Sequence, residues 1–139
     1  MKRIYIDGIF DLFHRGHLES LKQAKNIDKD VYLIVGIVDD NTASEYKRKP
    51  IINQFDRAEI IKNIKIVDEI IESAPLVITR EFIEENNIDL VVHGFANDND
   101  WEKQQDFFKY LIENNKFKKI NYYDKISTTD IINNIKRNY

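Results

Sequence analysis

The 139-residue chain has no cysteine, four glycines, two prolines and no long uncharged apolar run. The absence of cysteine excludes disulfide bonds and thiolate metal sites. The absence of a long apolar run excludes a transmembrane helix, and the first residues show no signal-peptide pattern, so a cytoplasmic protein is expected. A formal charge of −3 excludes general attraction to nucleic acid. With 42% hydrophobic residues, residues 1–139 are predicted to form a single globular domain.

Short apolar segments alternate with amphipathic ones. The first kind predicts strands at residues 3–6, 31–38, 70–71, 90–94 and 119–122. The second kind predicts helices from near Gly16 to residue 25, at 55–64, from a Thr79 cap to residue 87, at 102–114, and from Ser127 onward. This alternation indicates an α/β fold: a Rossmann-like, doubly wound parallel sheet of about five strands with flanking helices. Ligands of such sheets bind at the carboxyl ends of the strands.

The turn between the first predicted strand and helix reads DGIFDLFHRGH, from Asp7 to His17. Gly8 lets a ligand approach the backbone closely. The helix starting near Gly16 presents free amide groups and a partial positive charge, which favour phosphate. The imidazoles of His14 and His17 can donate hydrogen bonds to phosphate oxygens. Two alternatives are an unoccupied surface junction and a metal site, although the metal site lacks a third ligand at a motif spacing.

This turn resembles the signature of nucleotidyltransferases with an HxGH motif, specifically the cytidylyltransferase family, whose members act on choline phosphate, ethanolamine phosphate or glycerol 3-phosphate. Blocks that resemble the family cover nearly the whole chain: 4–17, 32–36, 67–71, 74–75, 88–93 and 126–130. Several ordered blocks are far more specific than two histidines alone. The resemblance implies one cytidylyltransferase catalytic domain over residues 1–139, which transfers CMP from CTP to a phosphorylated alcohol and releases pyrophosphate.

The resemblance also implies roles for individual residues. The catalytic set is His14, His17 and Lys47, which would bind and neutralise phosphate groups; Lys47 has the family's spacing of ten residues to Arg57. The CTP-binding set is Gly8, Ile9, Phe10, His14, Gly16, His17, His93, Gly94, Ile126, Ser127, Thr128 and Thr129. The substrate-binding set is Asp11, Asp39, Lys47, Arg57 and Asp68, with a charged network joining Asp68 to Arg57. Magnesium is expected only with CTP, held largely by the triphosphate, and no protein metal ligand is predicted.

Each polar residue of these sets also has an ordinary structural interpretation. Lys47 is one of three consecutive basic residues and fits a solvated loop. Asp11 fits a capping carboxylate and Asp39 an ordinary turn. Asp68 fits a helix–strand junction, and Ser127 fits a plain N-cap.

The chain departs from the family pattern in the block before Ile126. Where the family has Arg-Thr-Glu-Gly, this chain has Tyr122 to Lys125, so the arginine expected to meet CTP phosphate is absent. Lys125 is a candidate to supply the lost charge. The alternative is a nucleotide-binding domain that has lost turnover. A third possibility is an adenylyltransferase of the same superfamily, although the 67–71 and 126–130 blocks resemble the CTP users.

The nature of the alcohol depends on the region after residue 74. Leu76 stands where choline-phosphate enzymes carry a tryptophan, and His93-Gly94 matches ethanolamine-phosphate enzymes. Acceptors for a primary ammonium are available at Asn97, Asp98 and Asp100. Phosphoethanolamine is therefore favoured, phosphocholine is second and glycerol 3-phosphate third; Trp101 is a candidate for a rebuilt aromatic cage or for helix packing. The resemblance further implies a homodimer, and no membrane-binding segment is expected.

Overall fold

A five-stranded parallel sheet forms the centre of the structure, a computed structural model that describes residues 1–139. The strands are β1 Lys2–Gly8, β2 Val31–Ile37, β3 Glu69–Glu72, β4 Leu90–Gly94 and β5 Phe117–Ile120. The helices are α1 Arg15–Lys25, α2 Asp40–Tyr46, α3 Gln54–Lys62, α4 Arg80–Glu85, α5 Asp98–Gln104, α6 Lys109–Glu113 and α7 Thr128–Asn138, with a 3-10 turn at Gln105–Phe108. No helix combines the length and apolar character needed to cross a membrane.

The strand order is β3-β2-β1-β4-β5, so the winding direction reverses between β1 and β4. β1 pairs with β2 along its whole length and with β4 at Ile4 and Tyr5. The carboxyl ends of β1 and β4 diverge above this reversal and leave a crevice, which is where ligands of doubly wound sheets bind. The predicted fold class is confirmed.

Two apolar cores cover the two faces of the sheet, because alternate residues of a strand point to opposite sides. On one side Ile4 and Ile6 pack with residues of β2, α1 and α3. On the other side Tyr5 packs with residues of β4, α4 and α6. β2 is buried on both faces, as its uninterrupted apolar run predicts. Helix α1, which carries the histidine turn, is therefore anchored to one face of the sheet.

Three local predictions need correction. The helix predicted at 102–114 starts earlier and is interrupted: the Asn97 side chain accepts from the Asp100 amide and caps α5, and a 3-10 turn then buries Phe108. The last strand is shifted to Phe117–Ile120, because it follows a left-handed residue, Asn115. Helix α2 was missed; the Asp39 side chain caps it by accepting from the Thr42 amide, so the turn residues there start a helix.

Candidate active site

A cavity of about 490 Å³ opens at the carboxyl ends of β1 and β4. That volume lies within the range of small-molecule sites. All twelve residues predicted to bind CTP line it, together with Lys47 and Asp11. Lining residues outside the predicted sets include Asp7, Tyr46, Arg48, Lys103, Gln104 and Phe107. The topology thus brings together segments that are more than a hundred residues apart in sequence.

The turn after β1 has a strained backbone. Phe10 and Leu12 adopt left-handed φ angles of 57° and 49°, which are uncommon for residues with a Cβ. The Phe10 ring lies against Gly8, where an added Cβ would come within 2.9 Å of that ring. The Asp11 carboxylate accepts from the amides of Ile51 and Ile52 at 2.8 and 2.9 Å. Asp11 therefore orders both the turn and the loop that follows Lys47.

The two histidines cap helix α1 together. His14 is the N-cap, and its Nδ1 accepts from the Gly16 amide at 3.0 Å. The Nδ1 of His17 accepts from the His14 amide at 3.2 Å, which completes a capping box. Because each Nδ1 is an acceptor, each neutral ring carries its proton on Nε2. Local helix chemistry thus fixes both imidazoles as Nε2–H donors.

Gly16 permits this arrangement. A Cβ at Gly16 would lie 2.8 Å from Cε1 of His14, in the space that the imidazole occupies. The His14 and His17 rings stack with centroids 3.8 Å apart. The glycine between the histidines is therefore required by their packing.

Both imidazoles are neutral at physiological pH. Burial, reinforced by His14 and Lys47, lowers the pKa of His17 from 6.5 to about 3. Aromatic rings surround His17: Phe10 in a T-shaped contact and Phe13 stacked, both at 5.5 Å between centroids. Burial also lowers the pKa of His14, with Asp130 opposing the shift. The pair offers N–H donors without adding net charge to the empty site.

The start of α7 lies beside His14 and also lines the cavity. Ser127 is the N-cap and accepts from the Asp130 amide at 3.1 Å. The Thr128 hydroxyl donates to the Asp11 carbonyl at 3.0 Å and lies 3.4 Å from Nε2 of His14. The amides of this first turn and the His14 imidazole therefore face one volume, an arrangement suited to phosphate. The predicted cap at Ser127 is confirmed.

Two basic residues follow α2 at the rim of the cavity. Burial and the adjacent Arg48 lower the pKa of Lys47, whereas Asp100 raises it. Arg48 Nη1 donates to the Thr129 hydroxyl at 3.1 Å. Arg48 stands between Lys47 and Lys49 in the sequence, and nothing in so basic a run distinguishes it from its neighbours.

Two carboxylates, those of Asp7 and Asp100, line the cavity near His93 and Tyr46. Asp7, which is 7% exposed, accepts from Nδ1 of His93 at 3.2 Å. Asp100 accepts from the Ala96 amide and from the Gln104 side chain. Burial, Asp100 and Asp7 together raise the pKa of Tyr46 to about 12, so this phenol lies near both acids. Sequence reasoning missed Asp7 and Tyr46, although the position of Asp7 at the end of β1 was a usable signal.

Three predicted substrate-binding residues do not line the cavity. Arg57 is 1% exposed and donates to the carbonyls of Ile9, Val38 and Ile52 and to the Asp40 carboxylate, so every guanidinium nitrogen is used inside the protein. Asp39 is occupied as the cap of α2.

Asp68 accepts from Lys25 at 2.7 Å and from the Leu33 amide, near the opposite end of the sheet. The predicted Asp68–Arg57 network is therefore wrong. Arg57 pairs instead with Asp40 and supports the site from behind.

The region of the missing arginine gives two further outcomes. Tyr122 lines the cavity, whereas Lys125 does not, so the expected charge replacement by Lys125 has no support. Trp101 packs against Phe95 at 4.9 Å and under Lys119 at 3.7 Å, away from the cavity, which fits its packing role rather than a cage. No group of three or more His, Asp or Glu side chains is arranged to hold a metal ion.

Comparisons with known proteins identify the family. A family model described as Cytidylyltransferase-like matches residues 5–134. The probable choline-phosphate cytidylyltransferase of Schizosaccharomyces pombe is 40% identical over 140 residues, which cover 99% of this chain and 38% of that protein. The ethanolamine-phosphate cytidylyltransferase of Arabidopsis thaliana is 42% identical over 106 residues, covering 74% of this chain and 25% of that protein. This chain thus spans less than half the length of these curated relatives.

A solved structure shares the fold. The lipopolysaccharide core biosynthesis protein from Thermoplasma volcanium GSS1 superposes with a TM-score of 0.70 at 26% identity, covering 89% of this chain and 99% of that one. The family model spans nearly the whole chain and includes both histidines, the lysine and the α7 start that meet at the cavity. The predicted resemblance is confirmed, and the chain belongs to the cytidylyltransferase-like family.

Proposed function

We propose that this protein is a cytidylyltransferase that transfers CMP from CTP to a phosphorylated amino alcohol, forming a CDP-alcohol and releasing pyrophosphate. One observation carries the proposal: two imidazoles fixed as Nε2–H donors line one cavity with Lys47 and the amide-rich start of α7. That set of donors suits a polyphosphate. The names of the relatives, which act on choline phosphate or ethanolamine phosphate, indicate the class of the second substrate.

The reaction requires no covalent participation of a protein side chain. A phosphate oxygen of the phospho-alcohol attacks the α-phosphorus of CTP in line, the bond from that phosphorus to the bridging oxygen breaks, and pyrophosphate leaves with the electron pair. A phosphate dianion is already a nucleophile near neutral pH, so no general base is needed. His14 and His17 donate to the α-phosphate oxygens as charge develops on them, and Lys47 neutralises phosphate charge. We propose that magnesium enters as the chelate of the triphosphate.

The carboxylates that line the cavity favour phosphoethanolamine over phosphocholine. Asp7 and Asp100 both act on the Tyr46 phenol, and the Tyr46 and Phe107 rings meet edge to face at 5.5 Å. A primary ammonium needs hydrogen-bond acceptors, which carboxylates supply. A trimethylammonium group instead prefers an aromatic cage, for which Tyr46 and Phe107 are available, whereas Leu76 stands where the choline-phosphate enzymes carry a tryptophan and contributes only an aliphatic side chain.

Pyrophosphate release with CTP and magnesium tests the reaction, with phosphoethanolamine, phosphocholine and glycerol 3-phosphate compared as acceptors. Loss of one preorganised donor in His17→Ala is expected to lower turnover by ~10²–10³. A folded protein that binds CTP yet releases no pyrophosphate with any acceptor would instead be a CTP-binding domain that has lost turnover. Preference for glycerol 3-phosphate would refute the amino-alcohol assignment.

Asp100→Asn tests the choice of acceptor. We expect its KM for phosphoethanolamine to rise about tenfold, the size of one charge-assisted hydrogen bond, with a smaller change for phosphocholine. Asp98→Asn is the matched control, because Asp98 lies on the same helix but does not line the cavity. Equal effects of both substitutions would contradict the assignment. A homodimer remains part of the proposal, and light scattering of the purified protein checks it.

A further inference from the structure

Arg48 occupies an unusual position for an arginine. Its guanidinium lines the cavity at the start of α7 and donates to the hydroxyl of Thr129 at 3.1 Å. A helix start carries partial positive charge, which disfavours a cation there. No carboxylate lies within ion-pairing distance of Arg48. Its contact with a neutral hydroxyl leaves most of its five N–H donors free.

Lys47 also has no carboxylate within ion-pairing distance. Burial and the neighbouring guanidinium lower its pKa, and Asp100, which raises it, offsets only part of that shift. Two adjacent cations, one of them at the positive end of a helix, repel one another unless an anion lies between them. The local charge therefore calls for a polyanion at this rim of the cavity.

Arg48 is the arginine that lines this cavity, and no neighbouring residue supplies a second guanidinium. Tyr122 stands where the resemblance leads one to expect an arginine, and it contributes a phenol. Lys125 does not line the cavity, and every guanidinium nitrogen of Arg57 already donates a hydrogen bond within the protein.

We propose that Arg48 binds the β- and γ-phosphates of CTP, exchanging the Thr129 hydroxyl for phosphate oxygens. This inference rests on the proposed function, since it assumes that CTP occupies the cavity. The positive charge that the family pattern supplies with an arginine at the position of Tyr122 would then come from Arg48, in the loop after α2.

The order of contacts along the α7 start selects the outer phosphates. His14 lies beside Thr128, and Arg48 bonds the next residue, Thr129. With the α-phosphate at the imidazoles, the remaining phosphates follow the first turn of α7 toward the guanidinium. Arg48 then meets the part of CTP that leaves as pyrophosphate and does not meet the part that is transferred.

Calorimetric titration of the full chain tests this assignment with three ligands: CTP, CMP and inorganic triphosphate. Arg48→Ala is expected to weaken CTP and triphosphate binding by about 10- to 100-fold, the loss of one or two charge-assisted bonds, and to leave CMP binding within about twofold. Arg48→Lys should fall between, because an ammonium keeps the charge but loses the bidentate fork. Lys49→Ala, an exposed neighbour that does not line the cavity, should match the wild type.

The outcomes separate this inference from the proposed reaction. Unchanged CTP affinity in Arg48→Ala overturns the inference, whatever the wild type catalyses. Equal weakening of CTP and CMP also overturns it, because that pattern means a disordered loop rather than a lost phosphate ligand; unfolding midpoints of each variant check the fold. A wild type that binds CTP without turnover refutes the proposed reaction, while the comparison of CTP with CMP still decides the role of Arg48.

Discussion

His17 links folding stability to pH. In the folded protein its pKa is about 3, against 6.5 for an unperturbed histidine. Between these two pH values His17 is protonated in the unfolded chain and neutral in the folded one. The stabilising contribution is complete above the unfolded pKa and is lost as pH falls below it. Between the unfolded pKa of 6.5 and the folded pKa of about 3, each unit of acidification lowers the unfolding free energy by ~1.4 kcal/mol. Acidification from about pH 7.5 to 5 should therefore lower the unfolding free energy by about 2 kcal/mol through this one residue.

His17→Asn isolates that contribution. The Asn side-chain oxygen can replace Nδ1 as acceptor for the His14 amide, so the capping box is kept while the titrating group is removed. Urea unfolding of both proteins at the two pH values gives the four free energies needed. The wild type should lose about 2 kcal/mol more than the variant. A difference below about 0.5 kcal/mol, or a His17 pKa near 6.5 by NMR, would refute the argument.

Three substitutions test other features of the structure. Gly16→Ala should lower turnover by ~10²–10³, because the added Cβ displaces the His14 ring. Gly94→Ala should lower turnover far less, because a Cβ there would lie 3.4 Å from its nearest neighbouring atom. Steady-state kinetics of the two variants compares the effects. Arg57→Met should lower the unfolding free energy by about 3–5 kcal/mol, and a loss under about 1 in urea unfolding would contradict its supporting role. Tyr5→Phe removes a buried hydroxyl without a partner, so its thermal midpoint should stay equal or rise.

The sequence predicted which residues line the cavity better than it predicted the structural role of each residue. Gly8, the histidines and Ser127 were recognisable because chain-local chemistry, a strand end or a helix cap, fixes them. Arg57 and Asp68 were misassigned because their partners depend on tertiary packing. Spacing gave no indication that Arg57 would be enclosed by three carbonyls and the Asp40 carboxylate.

The pKa values of three groups in the site are lowered toward the neutral form mainly by burial. Burial alone lowers the pKa of His14, His14 and Lys47 add to the shift of His17, and Arg48 adds to that of Lys47. A structural cluster of this kind would be compensated by carboxylates, as Arg57 is by Asp40. Here Asp130 and Asp100 offset only part of the shifts of His14 and Lys47, and Asp7 and Asp100 also act on Tyr46. A polyphosphate beside the cationic and N–H donor groups and an ammonium beside the carboxylates satisfy both sets of charges, as CTP and a phospho-amino alcohol do together.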